Sequence, residues 1–273
     1  MIFAVTNQKG GVGKTTTVLN LGVFLATKDK RVLLIDIDPQ ANLSSGLGIL
    51  HQPNDIEELN NKEYKTVYDL LVNKTSASEV IQTTRIKNLD IIPSGIELAG
   101  AEVEIVGALS RENILKKALE PVKDNYDYVL IDCPPSLGLL TINSLVAADK
   151  VLIPVQSEYF ALEGLGQLVN TITLIKGSLN PSMEIGGVIL TMYDNRTNLS
   201  KDVASEIEKY FNTKLFKSII PRNIRLSEAP SHGLSIYEYA RTSAGGLAYE
   251  NLTDEIIERF DKVMKRPNFN KNS

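Results

Sequence analysis

The chain has a single cysteine, no tryptophan and two histidines in 273 residues. One cysteine, Cys133, excludes an intrachain disulfide framework and any zinc site built from cysteines alone, which suits a reducing compartment. Long hydrophobic runs are missing too. No segment approaches the roughly 20 uninterrupted apolar residues that span a bilayer, and the start MIFAVTNQKGG has no basic stretch ahead of a long apolar one. A cytoplasmic protein is expected. Positive charge is also in short supply. The 29 Lys and Arg against 33 Asp and Glu leave a net charge of −4, whereas nucleic-acid binders usually carry a basic balance. Apolar residues at 43% and charged residues at 23% are ordinary globular composition and exclude a disordered or collagen-like chain.

What the chain does have is a recurring pattern of apolar run, turn and helical spacing. The runs Ile2–Thr6, Val32–Ile35, Leu89–Ile92, Tyr128–Ile131, Val151–Val155 and Ile185–Thr191 are short, rich in Val and Ile, and read as strands buried on both faces. Helical spacing appears over Thr15–Ala26, Leu98–Leu119, Leu139–Ala147, Ala161–Ile175 and Leu199–Phe211. Such alternation implies right-handed crossovers and an α/β fold with a mostly parallel twisted sheet flanked by helices. No Pro/Gly/Ser-rich linker separates two cores, so one domain over residues 1–265 and a polar tail over 266–273 are expected. His51–Lys65 reads as a surface loop. A last helix, about Gly246–Met264, carries a stripe of Leu247, Leu252, Ile256, Ile257, Phe260 and Val263 that should face the core.

Directly after the first run stands Asn7-Gln8-Lys9-Gly10-Gly11-Val12-Gly13-Lys14-Thr15-Thr16, and a helical pattern follows at once. Glycines let a loop fold so that successive N–H groups point at phosphate oxygens, and a helix N-terminus adds its positive dipole end. Lys14 would reach the β/γ-phosphates and the Thr15 hydroxyl would bind Mg²⁺. A plain Gly-rich strand-to-helix turn is the bland alternative, and Lys-Thr in register argues against it. The loop departs from the usual G-x-x-x-x-G-K-[ST] spacing, because Gln8 stands where glycine is expected and Lys9 follows it. A second lysine beside Lys14 calls for a dense anionic ligand.

Carboxylates complete the pattern. The second run continues into Asp36-Ile37-Asp38-Pro39-Gln40 and the fourth into Asp132-Cys133-Pro134-Pro135-Ser136, placing acids at the carboxyl edge where open α/β sheets bind ligands. An apolar run ending in Asp is the Walker B pattern, so Asp132 would hold Mg²⁺. An Asp at a strand end can also be a mere turn or cap residue. Its co-occurrence with the phosphate loop favours function.

K-G-G-x-G-K-[ST]-T is the deviant Walker A signature, and in it the sequence resembles the ParA/MinD superfamily of dimerising P-loop ATPases. The resemblance implies ATP and Mg²⁺ as cofactors, with Lys9, Gly10, Gly11, Val12, Gly13, Lys14, Thr15 and Thr16 around the nucleotide. It assigns Lys9, reaching across a homodimer interface, Lys14 and Asp38, which orients the attacking water, to catalysis. Thr15, Asp36 and Asp132 form the metal shell. A single Cys excludes the nitrogenase iron protein branch, and a single phosphate loop is unlike the arsenic-pump ATPases. The tail Lys265-Arg266-Pro267-Asn268-Phe269-Asn270-Lys271 contains a helix-breaking Pro, unlike the membrane-inserting helix of MinD-type proteins, so no membrane partner is expected.

Within the superfamily the chain is similar to the ParA/Soj partitioning branch nearly end to end, through NQKGGVGKTTTVLNLG, IDIDPQANLSSGLG, IDCPPSLGLLTINSL, VQSEYFALEGLGQL, LTMYDNRTNLS and IPRNIRLSEAPSHGLSI. The start at the first strand implies no N-terminal DNA-binding extension and no autorepressor role. Between Asp194 and Arg225 there are seven basic residues against four acidic ones, a local surplus of +3 in a chain of −4. Charge alone fits an ordinary solvated helix equally well. The resemblance instead places Arg196 and Arg225 on a DNA-binding surface completed by dimerisation, with Lys201, Lys217 and Arg222 as further basic candidates there, and the Pro221-Arg222-Asn223 loop beside the adenine, where Pro221 and Asn223 help define base choice; Arg222 could serve either site. It implies a nucleoid-associated segregation ATPase whose ATP-bound sandwich dimer binds double-stranded DNA nonspecifically and whose hydrolysis a ParB-like centromere-binding partner stimulates. The rivals are a MinD-like membrane-positioning ATPase and a dethiobiotin-synthetase-like P-loop enzyme.

Overall fold

The computed structural model describes residues 1–49, 64–158 and 161–264. Seven strands form one sheet: β1 (Ile2–Val5), β2 (Val32–Asp36), β3 (Gln82–Thr83), β4 (Leu89–Ile92), β5 (Tyr128–Asp132), β6 (Lys150–Gln156) and β7 (Glu184–Thr191). Their order is β3-β4-β2-β5-β1-β6-β7, and every pair is parallel except β3 with β4. The six apolar runs became the six parallel strands. β3 is a two-residue polar edge strand, so no apolar run announced it.

Successive side chains on a strand point to opposite faces, and both faces here are covered. Ile2, Ala4, Leu33, Ile35 and Ile131 belong to one buried cluster, whereas Phe3, Val5, Val32, Leu34 and Leu130 belong to the other. The second cluster is closed by helix α1 (Lys14–Thr27) and by the C-terminal helix Ala244–Met264, which bring in Leu21, Leu25, Leu252 and Ile256. Helices Leu139–Ala147, Ala161–Ser178 and Asn198–Phe211 cover the first. Among the described residues no helix is long and apolar enough to cross a membrane.

The sequence pattern failed in two places. The continuous helix expected over Leu98–Leu119 is broken into Leu98–Ile105, a short 3₁₀ turn at Arg111–Asn113, and Ile114–Leu119. Ser110 adopts a left-handed φ of 54°, and Leu109 is 97% exposed, so no core contact holds this segment in one helix. The second piece is pinned by Asn143, whose Oδ1 accepts from the Leu115 amide and whose Nδ2 donates to the Arg111 carbonyl. Leu247 does not join the core stripe of the last helix: it is 49% exposed, while Leu252, Ile256 and Phe260 are buried. The Val263 side chain, the tail 266–273 and all of the expected loop except Tyr64 and Lys65 lie outside the described residues.

The register places the chemistry. Asp36 at the end of β2 pairs with Asp132 at the end of β5, and Val5 at the end of β1 pairs with Asp132 from the other side. Three strand ends therefore open side by side at one carboxyl edge, and the loops that follow them share it.

Candidate functional site

The loop after β1 turns on Gly11 and Gly13, with φ of 73° and 87° in the left-handed region where a side chain is strained. Its backbone is tied down from outside. The Thr191 hydroxyl donates to the Val12 carbonyl at 2.8 Å, and the Asn7 side chain accepts from the Lys9 amide at 3.1 Å while donating to Pro154 O at 2.7 Å. α1 starts immediately after Gly13 with no side chain capping its first turn. Uncapped amides at a helix start and a positive dipole end are suited to an anion. A cavity of about 600 Å³ opens there, lined by Gly10, Gly11, Gly13, Lys14, Thr15 and Thr16, with Asp38, Gln40, Pro135 and Met192 on its other walls.

Lys14 is 6% exposed and its Nζ donates to the Lys9 carbonyl at 3.3 Å. Burial pulls its pKa down, against the opposing pull of Asp132. Asp132 is buried, and neither carboxylate oxygen has a hydrogen-bond partner among the described residues. Burial raises its pKa and the neighbouring Asp36 adds to the rise, while the Thr15 hydroxyl and Lys14 act in the opposite direction. An orphaned buried carboxylate beside a threonine hydroxyl fits a magnesium ion. Mg²⁺ uses one or two carboxylates together with phosphate oxygens and waters, so it needs no cage of protein ligands. Among the described residues no group of three or more His, Cys, Asp or Glu could form such a cage.

Asp36 is arranged differently. It is fully buried, its Oδ2 accepts from Ser44 N at 2.9 Å and Ser44 Oγ at 2.7 Å, and its Oδ1 accepts from Asp38 N at 3.2 Å. Both oxygens serve the loop that carries Asp38, which leaves Asp132 as the unpartnered carboxylate. Burial pushes the Asp36 carboxyl up to about 6, with the Ser44 hydroxyl and amide pulling against it.

Lys9 is half-exposed at the mouth of the loop, and its Nζ forms a 2.6 Å ion pair with Glu158 just beyond β6. Glu158 was not singled out in the sequence, where it stands alone after an apolar run. Ser44 and Ser94 also escaped notice. Ser94 follows directly on the β4 loop, at the same carboxyl edge as the aspartates, and that position was the available signal.

The remaining site residues lie apart from the phosphate loop. Pro221 and Arg222 line a second cavity of about 740 Å³ together with Tyr193, Arg196 and Leu247, and Asn223 caps the short helix Ile224–Glu228 by accepting from the Arg225 amide at 2.9 Å. Arg196, Lys201, Lys217, Arg222 and Arg225 are all exposed. Two of them are held by acids: Arg196 takes both oxygens of Asp194 at 2.8 and 2.6 Å, and Arg225 pairs with Glu228 at 2.9 Å. The Arg196 guanidinium holds the Asp194 carboxyl well below the usual carboxylate range.

A glycine-cradled phosphate loop heading α1, a buried lysine and a Walker B aspartate on a parallel sheet together define a P-loop nucleotide-binding protein. Residues 1–185 match the AAA domain family. Over 255 residues the chain is 56% identical to the sporulation initiation inhibitor protein Soj of Bacillus subtilis, covering 93% of this chain and 97% of that one. Over 253 residues it is 51% identical to the chromosome-partitioning ATPase Soj of Treponema pallidum, covering 93% and 95%. The chain belongs to the Soj/ParA family of chromosome-partitioning proteins. Among solved structures it resembles a cobyrinic acid a,c-diamide synthase of Mycobacterium smegmatis with bound ADP and magnesium (TM-score 0.80, 34% identity, 99% of each chain). It also resembles a plasmid partition protein of Borrelia burgdorferi (TM-score 0.74, 27% identity, 94% of this chain and 98% of that one).

Asp36 generates a pH signature in the protein free of nucleotide. Its folded pKa of about 6 exceeds the ordinary 3.8, so the folded state holds the extra proton between those values. Stability contributed at this position should therefore fall as pH rises from about 4 to about 6, the reverse of a salt-bridged carboxylate. Urea unfolding across that window, compared with Asp36→Asn, measures the component. The two proteins showing the same pH slope would contradict it.

Proposed function

We propose that the chain is an ATP-operated switch for DNA segregation. The observation that carries the reading is a buried Lys14 lining the cavity that heads α1, within electrostatic reach of a buried Asp132 whose carboxylate has no hydrogen-bond partner among the described residues. ATP fills the anionic requirement of the loop, and Asp132 and Thr15 would hold the magnesium ion, which neutralises charge on the phosphates. Lys14 is positioned to balance the β- and γ-phosphates, and Asp38, on the opposite wall, to orient the attacking water.

Lys9 has a separate part. Its pair with Glu158 is half-exposed on both sides, and such pairs contribute at most about 1 kcal/mol. A partner's nucleotide can therefore draw Lys9 across a face-to-face dimer at little cost. Dimerisation also sets two exposed basic strips side by side. DNA phosphates then replace Asp194 and Glu228 as partners of Arg196 and Arg225, giving binding that is independent of sequence and falls steeply with salt. A ParB-like centromere-binding partner stimulates hydrolysis and release.

The likeness to the cobyrinic acid a,c-diamide synthase favours a second reading, ATP-dependent amidation of a carboxylic acid. Oligomeric state separates the two. Light scattering with ATP should show a dimer for the unaltered chain, a nucleotide-bound monomer for Lys9→Ala, and neither nucleotide nor dimer for Lys14→Ala. A Lys9→Ala dimer would remove the lysine from the interface, and an unaltered chain that stays monomeric with ATP would overturn the switch.

The surface has its own test. Arg225→Ala should bind ATP and dimerise normally while losing most DNA retention in a co-sedimentation assay at low salt. Unchanged retention would place the DNA surface elsewhere.

A further inference from the structure

Behind the cavity, the main chain of Asp38 is held by a closed ring of hydrogen bonds that runs through Asp36 and two serines, Ser44 and Ser94, to which no role has been assigned. Asp38 N donates to Asp36 Oδ1 at 3.2 Å, and Ser44 Oγ donates to Asp36 Oδ2 at 2.7 Å. Ser94 N donates to Ser44 Oγ at 3.0 Å, and Ser94 Oγ donates back to the Asp38 carbonyl at 2.7 Å. Asp36, Ser44 and Ser94 are each 0% exposed, so water does not compete for these bonds. A hydroxyl has one proton to donate, and each serine spends it inside the ring.

The ring joins three elements: the end of β2, helix α2 (Asn42–Gly46) and the segment after β4. It spans a backbone that would otherwise be easily displaced. Between Asp38 and Ser44 the chain passes through Ala41 at a φ of 51°, a left-handed conformation that a non-glycine residue keeps only when its surroundings enforce it. The Asp38 carbonyl receives two donors, Ala41 N at 2.9 Å and Ser94 Oγ, and Asp38 Oδ1 accepts from Gln40 N at 2.9 Å. Asp38 thus enters the cavity wall with its amide, carbonyl and one carboxylate oxygen all fixed.

We infer that Ser44 and Ser94 are positioning residues for ATP hydrolysis, holding the Asp38 carboxylate at the phosphate cavity through its main chain without touching the nucleotide. This rests on the reading of Asp38 as the residue that orients the attacking water. Ser94 is the cleaner member to test. Removing its hydroxyl takes one bond from the Asp38 carbonyl, leaves Asp36 with all its donors, and removes no atom from the lining of the phosphate cavity, to which Ser94 itself does not belong.

For Ser94→Ala we expect kcat to fall about tenfold, as the loss of one buried hydrogen bond allows, with the affinity for a fluorescent ATP analogue changed less than about twofold. Asp38→Asn and the double variant complete a cycle. If the serine acts through Asp38, its removal should do nothing further once Asp38 is gone. Additive losses, an unchanged kcat in Ser94→Ala, or a loss of nucleotide affinity matching the loss in kcat would each overturn the proposal. An Asp38→Asn chain with full kcat would instead defeat the reading of Asp38 itself. Ser94→Cys, similar in volume and a weak donor, should reproduce the fall in kcat and serves if the alanine variant does not fold.

Discussion

An ammonium and two carboxylates buried at one sheet edge are unfavourable unless each finds a partner, and the rest of this molecule can be understood from how that requirement is met. Asp36 is satisfied internally by Ser44 and Asp38. Among the described residues Asp132 is not, and Lys14 reaches only a backbone carbonyl at 3.3 Å. The two groups left short have opposite charge, and on the proposed reading a phosphate with its cation would satisfy both. The register that sets Asp36 beside Asp132, the left-handed glycines and the uncapped start of α1 all bear on that one balance of charge.

Around this buried core the exposed machinery is held by weak contacts. Lys9 with Glu158, Arg196 with Asp194, and Arg225 with Glu228 are surface pairs of the kind that contribute little to stability and exchange partners readily. A switch needs both kinds of interaction. On the proposed reading, Ser44, Ser94 and Asp36 would hold the Asp38 main chain fixed in a dry environment, whereas the outer lysine and arginines would leave one acid for another anion without disturbing the fold. The same logic accounts for the charge balance. If the proposed DNA surface is right, acids that occupy the arginines in a single copy also weaken its attraction for DNA.

Much of this was legible in the sequence. The six parallel strands announced themselves as Val- and Ile-rich runs because both faces of the sheet are buried, the phosphate loop was marked by its motif, and Asp132 by its strand end together with that loop, whereas the role of Asp38 came from the resemblance. What escaped has physical reasons. β3 is made by pairing to β4, with no hydrophobic content of its own, and the break before Arg111 depends on Asn143 from another helix. Leu247 follows the helical period yet faces a cavity. Ser44 and Ser94 are fifty residues apart and are chemically ordinary, and only the fold reveals that they close on the same aspartate loop. The adenine and DNA assignments came from resemblance, and the local charge pattern by itself did not distinguish them.

A deficit of positive charge was the first feature to point away from nucleic acid, and the account turns it into a condition: DNA binding exists only where ATP has paired two copies. Co-sedimentation of the unaltered chain with nonspecific double-stranded DNA, run with ATP, with ADP and without nucleotide over a range of salt, tests this most directly. The account predicts retention with ATP alone and a steep loss as salt rises. Equal retention in all three states, or none with ATP, would contradict it.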